Sequence, residues 1–165
     1  ELFLLYPSGL DCDMDRFNQI KLLPESLAYR AFLDQTTTQH GWEIATAITT
    51  IFIEGTPYER GEIDEKAAKR PEPALSEHPL VKHYGLSEDN LALTKAHRLV
   101  EGQHRSSAWS VVLDHIDESQ YQDVVAIMEQ ACALWKFYRD GVARACGLVQ
   151  NDLGEPQLKS SSSKG

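Results

Sequence analysis

The sequence has few cysteines, a deficit of basic residues and no long apolar run. Its 165 residues include three cysteines, and 25 acidic side chains outnumber 16 basic ones, which gives a formal net charge of −9. The odd number and scattered positions of Cys12, Cys132 and Cys146 argue against a disulfide framework and favour a reducing compartment. We therefore expect a cytoplasmic location, with Cys132 and Cys146 packed as small apolar residues.

Charge and hydropathy also limit the classes of partner. A nucleic-acid-binding protein presents a basic face, which a net charge of −9 disfavours. No apolar segment approaches the ~20 residues of a transmembrane helix, and no segment resembles a secretory signal peptide. The sequence thus predicts neither a nucleic-acid partner nor a membrane partner, and it leaves a small-molecule substrate and a homodimer open.

Apolar periodicity predicts an all-α fold. Several predicted helices have boundary signals in the sequence. Pro24 is at a first helical position, Gly55 and Pro57 follow an apolar helix, and Gly85 follows a short one. Trp42, Trp109 and Trp135 are expected in the core. The predicted helices are a short one within 11–22, then 24–39, 42–54, 58–69, 78–84, a long one from a Ser87 cap to about His115, and 118–147.

The two ends of the sequence differ from the rest. Residues 1–6 form a short apolar stub, and Pro7-Ser8-Gly9 predicts a turn, so we expect that an upstream portion is absent from this sequence. Residues 151–165 are polar and end in a serine-rich stretch, which predicts a disordered tail. The expected organisation is one helical-bundle domain over 1–150, incomplete at its N-terminus, followed by that tail.

The long predicted helix carries a stripe of potential metal ligands. His97, Glu101 and His104 are spaced at i, i+4 and i+7, which places them on one helical face. The Glu-x-x-His pair within this stripe is the spacing that di-iron bundles project into their core. Apolar residues flank the stripe and predict that it faces inward, where charges need a partner or a metal: Leu93, Ala96, Val100, Ala108 and Val111. The alternative is a solvated face on which Glu101 pairs with a neighbouring cation.

Other candidate residues are less specific. Glu54 extends the inward face of its helix, yet it could equally be a frayed terminal residue. His115 shares the face of His104 or simply lies at the helix C-terminus, where a histidine is favoured. Arg98 and Arg105 flank the stripe and would either hold a substrate carboxylate or face water.

The sequence resembles the heme-oxygenase-like helical family. Three stretches carry the resemblance: Leu22–Arg30, Ile53-Glu54-Gly55, and His83–Leu91 followed by the His97, Glu101 and His104 triplet. The similar branch holds pyrroloquinoline-quinone synthase, TenA relatives and the chlamydial protein associating with death domains. The resemblance implies a heme-oxygenase-like bundle that lacks its N-terminal helices in this chain.

The resemblance also implies a chemistry. In di-iron members of this branch, a Glu on one helix joins a His-x3-Asp-x2-His triplet on a later helix, so Glu54, His97, Glu101 and His104 would be the metal-binding and catalytic residues. Position 101 is Glu where the family usually has Asp, and two further family ligands would lie upstream of Glu1. The implied cofactor is Fe(II), as two ions, with dioxygen as co-substrate. The implied activity is that of a non-heme di-iron oxidase or oxygenase acting on an amino-acid-like, amine or fatty-acid compound.

Two other classes of function stay open. One is a metal-free enzyme on the same fold, like pyrroloquinoline-quinone synthase or TenA. A TenA-like enzyme uses a cysteine nucleophile, and no cysteine of this sequence lies near the stripe, which counts against that option. The other class is a non-enzymatic helical interaction module in which the stripe is structural.

Overall fold

The computed structural model describes residues 1–52 and 73–159, apart from the side chains of residues 17–18 and 100–105. This part of the chain is mostly helical, which confirms the all-α class. Short 3₁₀ turns precede or separate several of the helices. The helices are α1 Leu5–Gly9, α2 Pro24–Gln39, α3 Trp42–Thr46, which continues as a π-helix over Ala47–Phe52, α4 Pro79–Tyr84, α5 Ala92–His115 and α6 Tyr121–Ala145.

Helix boundaries follow the sequence signals closely. Pro24 occupies the first turn of α2, and Gly85 ends α4 with a φ of +70°, a conformation that glycine adopts without strain. The start of α5 differs from the prediction, because a 3₁₀ turn over Glu88–Leu91 precedes it. The Ser87 hydroxyl donates to Asn90 Oδ1 at 2.7 Å and caps no helical N–H. Helix α5 ends at His115, which agrees with the prediction.

The N-terminal segment is helical where a turn was predicted. Pro7-Ser8-Gly9 belongs to α1, which packs against the 3₁₀ turn Glu88–Leu91 that precedes α5. Tyr6 Oη hydrogen-bonds to Thr94 Oγ1, and Asn90 Nδ2 donates to the Leu5 carbonyl at 3.1 Å. These long-range partners explain why the local turn signal was misleading.

A small hairpin follows α6. Strand β1, Leu148–Gln150, pairs antiparallel with β2, Pro156–Leu158, with Val149 opposite Gln157. The Asn151 side chain accepts hydrogen bonds from the backbone N–H groups of Leu153 and Glu155, which closes the connecting loop. The prediction of a disordered tail from 151 is therefore wrong for residues 151–159, and residues 160–165 lie outside the described part.

The core lies where α2, α3 with its π-helical continuation, and α6 meet. Its buried residues include Tyr29 and Phe32 of α2, Ile48 of the π-helix, and Val124 and Ala131 of α6. Two expectations about the core are wrong. Trp42 and Trp135 are 59% and 38% exposed, although the Trp135 ring contacts Tyr29 of the core. Cys132 and Cys146 are exposed, because Cys132 lies on the outer side of α6 and Cys146 follows its last residue. Within the described ranges, no helix has both the length and the apolarity needed to cross a membrane.

The crossing of α2 and α6 depends on a buried glycine. A Cβ added to Gly141 would lie 2.9 Å from Glu25 Cβ and 2.8 Å from Glu25 Cδ, so the two helices approach more closely than alanine allows. The Glu25 carboxylate also accepts a hydrogen bond from Arg144 Nη2 at 2.7 Å. One contact therefore combines close backbone packing with an ion pair.

We predict that Gly141→Ala destabilises the protein by about 1–3 kcal/mol, because the added methyl group overpacks the α2–α6 contact. Helix propensity alone would give a gain of about 1 kcal/mol. Chemical denaturation measures the difference. Ala133→Gly at an exposed position of α6 is the control and should cost about 1 kcal/mol. A stabilised Gly141→Ala variant would show that the crossing has room for alanine.

We predict that the contribution of Glu25 to stability is lost in acid. The pKa of Glu25 is lowered, first by a hydrogen bond from its own backbone N–H and then by the Arg144 side chain. A lowered pKa stabilises the fold above the unfolded-state value of about 4.3, and that contribution is lost as the pH falls through the folded-state pKa. The difference in melting temperature between wild type and Glu25→Gln should therefore shrink from pH 7 to pH 3. A pH-independent difference would contradict this assignment, and Arg144→Gln should lose part of the same pH dependence.

Candidate functional site

The predicted ligand stripe lies on one uninterrupted α-helix. Helix α5 runs from Ala92 to His115, so its backbone holds positions 97, 101 and 104 on the same face, as the spacing predicted. The side chains of Glu101 and His104 lie outside the described residues, as does Glu54 altogether. The convergence of the four predicted ligands therefore stays a prediction.

The two ends of the stripe have different environments. His97 is exposed, so the expectation that the whole stripe faces inward is wrong for this residue. Ala108 is 3% exposed, and it follows His104 by four residues and Glu101 by seven, which places it on the same face. Leu93, Ala96 and Val111 are half-buried. The stripe thus extends from solvent at position 97 into the core at position 108.

The helix that leads toward Glu54 runs back along α5. The Trp42 ring lies 5.2 Å from the His115 ring, so α3 begins at the C-terminal end of α5. Both α3 and its π-helical continuation contact α5, from which we infer that the chain runs antiparallel to α5 from Trp42 onward. Phe52 is ten residues after Trp42, and Arg105 is ten residues before His115. Phe52 therefore lies roughly level with Arg105 along the axis of α5.

The helical continuation is itself unusual. Ala47–Phe52 forms a π-helix, in which Ala47, Ile48 and Ile51 are buried. Hydrogen bonds of the i→i+5 type are rare and occur frequently next to functional sites, because the wider turn re-aims the residues that follow it. The sequence predicted a helix here but contained no signal for its π character.

The remaining candidate residues either contact other parts of the structure or lie outside the described residues. His115 is in the last turn of α5, as the helix-end interpretation predicted, and the tilted contact of its ring with Trp42 was not predicted. Arg98 is half-buried, and its Nη1 donates to the Pro73 carbonyl at 2.7 Å. In the part of the chain that the structure describes, no three His, Cys, Asp or Glu side chains are grouped so that they could hold a metal ion.

The structure contains two buried polar atoms that the sequence did not predict. Tyr29 Oη and Glu43 Oε2 are buried and have no hydrogen-bond partner among the described residues. The Tyr29 ring stacks on Tyr138 at 5.8 Å and meets Trp135 edge-on at 5.5 Å. Burial raises the pKa of Tyr29, with a smaller contribution from Tyr138. Apolar periodicity can place a tyrosine on the inner face of a helix, but it carries no information about the partner of its hydroxyl.

Comparisons with known proteins give no family for this chain, since no protein-family model, curated protein or solved structure matches it.

We predict that Tyr29→Phe leaves the protein equally stable or stabilises it by about 1 kcal/mol, because the substitution removes a buried hydroxyl without a partner and keeps the ring contacts. Chemical denaturation gives the free energy of unfolding. Tyr121→Phe is the control, and it should be neutral because Tyr121 is exposed. A loss of 1 kcal/mol or more specific to Tyr29→Phe would show that the hydroxyl makes a stabilising hydrogen bond.

Proposed function

We propose that this chain is a non-heme di-iron, dioxygen-dependent oxidase or oxygenase built on a heme-oxygenase-like bundle, and that it acts on a small amino-acid-like, amine or fatty-acid compound. The observation that carries the proposal is the antiparallel packing of the π-helix against α5. It ends the described part of that helix at Phe52, roughly level with Arg105 along the same helix that carries positions 97, 101 and 104. Glu54 follows only two residues later in the sequence.

The donor chemistry fits iron. Glu54, His97, Glu101 and His104 would hold the metal through two carboxylates and two imidazoles. Such ligands suit non-heme Fe(II), whereas thiolates favour zinc or iron–sulfur clusters, and the three cysteines are on other elements: Cys12 before α2, Cys132 on α6 and Cys146 after it. When bound, the iron would supply activation of dioxygen for oxidation of the substrate.

The chain itself would provide position and access. Ala108 anchors one end of the stripe in the core, which holds the α5 backbone in place beneath the ligands. Exposed His97 marks the other end, where substrate and dioxygen would enter. Positions 101 and 104 lie between these ends along the α5 backbone.

We predict that anaerobic Fe(II) raises the melting temperature of the full chain, because a ligand that binds only the folded state stabilises it, by about 2.7 kcal/mol at 100 times the dissociation constant. His104→Ala and Glu101→Gln should each abolish most of this rise and reduce the iron retained after desalting. Differential scanning calorimetry and elemental analysis provide the two readouts.

The matched controls are His83→Ala and Glu129→Gln, which remove an exposed imidazole from α4 and an exposed carboxylate from α6. Both should bind iron as wild type does. An equal rise in wild type and His104→Ala would place the iron elsewhere and refute the site. A chain that binds no iron at any concentration tested would leave the metal-free enzymes and the interaction module as the better explanations.

A further inference from the structure

The stripe on α5 continues toward the start of the helix, to a threonine that another segment contacts. Thr94 precedes His97 by three residues and Glu101 by seven, so the helix places all three positions on one face. The Thr94 side chain is half-buried, and its Oγ1 shares a hydrogen bond with Tyr6 Oη of α1. The N-terminal segment is therefore attached to the stripe at its solvent-exposed end.

The contacts of the N-terminal segment give its direction along α5. Helix α1 packs against the 3₁₀ turn Glu88–Leu91 that precedes α5, whereas the 3₁₀ turn Leu2–Leu4 before α1 contacts α5 itself. Phe3 in that turn is 56% exposed, and its ring meets the Tyr6 ring edge-on at 6.4 Å. Phe3 therefore lies further along α5 than Tyr6 does, on the side toward His97.

This segment is held to the rest of the molecule by few contacts. Of residues 1–9, all of which the structure describes, Pro7 alone is buried. Two long-range hydrogen bonds among the described residues attach the segment, one between Tyr6 and Thr94 and one to the Leu5 carbonyl. An element with little buried surface and few hydrogen bonds opens locally at a low free-energy cost. The segment can therefore detach from α5 while the core stays folded.

We propose that residues 2–9 form a strap that narrows the exposed end of the stripe, with the Tyr6–Thr94 hydrogen bond as its latch. Phe3 is the side chain that limits access to His97, and release of the latch widens the entrance. The strap rests on the proposed function for its purpose, which is to admit substrate and then to keep bulk water from the site during oxidation.

Gly9 shows how closely the strap lies on the turn before α5. A Cβ added to Gly9 would lie 2.7 Å from Asn90 Cγ, closer than such atoms come in real proteins. Asn90 cannot yield freely, because its amide is hydrogen-bonded to both Ser87 and the Leu5 carbonyl. Gly9→Ala therefore pushes the strap away from the turn and leaves both latch residues unaltered.

The rate at which diethyl pyrocarbonate modifies His97 in the metal-free full chain measures access to the entrance, with peptide mass spectrometry as the readout. Tyr6→Phe removes the latch hydroxyl, and both Tyr6→Phe and Gly9→Ala should speed this modification several-fold. Ser8→Ala, on the exposed side of α1, is the control variant and should leave the rate unchanged. His83 is exposed on α4 and should react at the wild-type rate in every variant. An unchanged His97 rate in both strap variants, or equal acceleration at His83, would overturn the proposal.

A disulfide that holds the strap closed tests the same idea in the opposite direction. The close approach of Gly9 to Asn90 brings their β-carbons within the ~4.5 Å that a disulfide accepts. In a background with the three native cysteines replaced by serine, Gly9→Cys with Asn90→Cys should cross-link on mild oxidation and slow His97 modification below the rate of that background. Reduction should reverse the effect. Ser8→Cys with Asn90→Cys is the control pair and should stay reduced. A cross-linked strap that leaves His97 as reactive as before would refute the proposal.

These measurements separate the strap from the iron site, because none of them needs a metal. If iron binds as predicted and access to His97 responds to no strap variant, the strap is refuted while the iron site stands. If the strap variants respond and the chain binds no iron, the strap stands as a cover over the exposed end of the stripe, and the oxidase proposal fails.

Discussion

The antiparallel packing of α3 and its π-helical continuation along α5 is the constraint on which the rest of the structure depends. It begins where Trp42 meets His115, and it buries Ile44 and Ile48 in the same core as Ile116. Helices α2 and α6 complete that core from the other side. Because the packing fixes which part of α5 lies beside Phe52, it also determines what the segment after Phe52 can reach.

The relation between this packing and the ligand stripe has a simple physical basis. An α-helix keeps residues four and seven apart on one face, so burial of Ala108 fixes the orientation of positions 101 and 104 relative to the core. Exposure of His97 shows that the described neighbouring elements leave this position of the face open to solvent. A stripe that extends from core to solvent combines rigid support at one end with access at the other.

The sequence predicted the helices well because their signals are local. Pro24, Gly85 and the apolar repeat that ends at His115 act within a few residues of the boundaries that they set. Features that depend on distant residues could not be predicted in this way. The α1 helix follows from its hydrogen bonds to Asn90 and Thr94, and the exposure of Trp42 follows from its position over the end of α5.

For the site, the sequence predicted one helical face with the right spacing, but it could not supply the register between two helices. Exposure on α6 was equally beyond it, since periodicity identifies an apolar arc of Val124, Val125 and Met128 without showing which part of that arc the fold covers. Both features were unpredictable for the same reason. Helical periodicity determines which side chains share a face of one helix, whereas the register between two helices and the solvent exposure of a face depend on which neighbouring elements pack there.

The central claim is that Glu54 meets the stripe on α5, and a pair of engineered thiols tests it without any metal. In a background with Cys12, Cys132 and Cys146 replaced by serine, Glu54→Cys combined with His104→Cys should form a disulfide on mild oxidation, because bridging requires Cα atoms within about 7 Å. Glu54→Cys combined with Ser110→Cys, on another face of α5, should stay reduced. Ready oxidation of the 110 pair with none at the 104 pair would contradict the account.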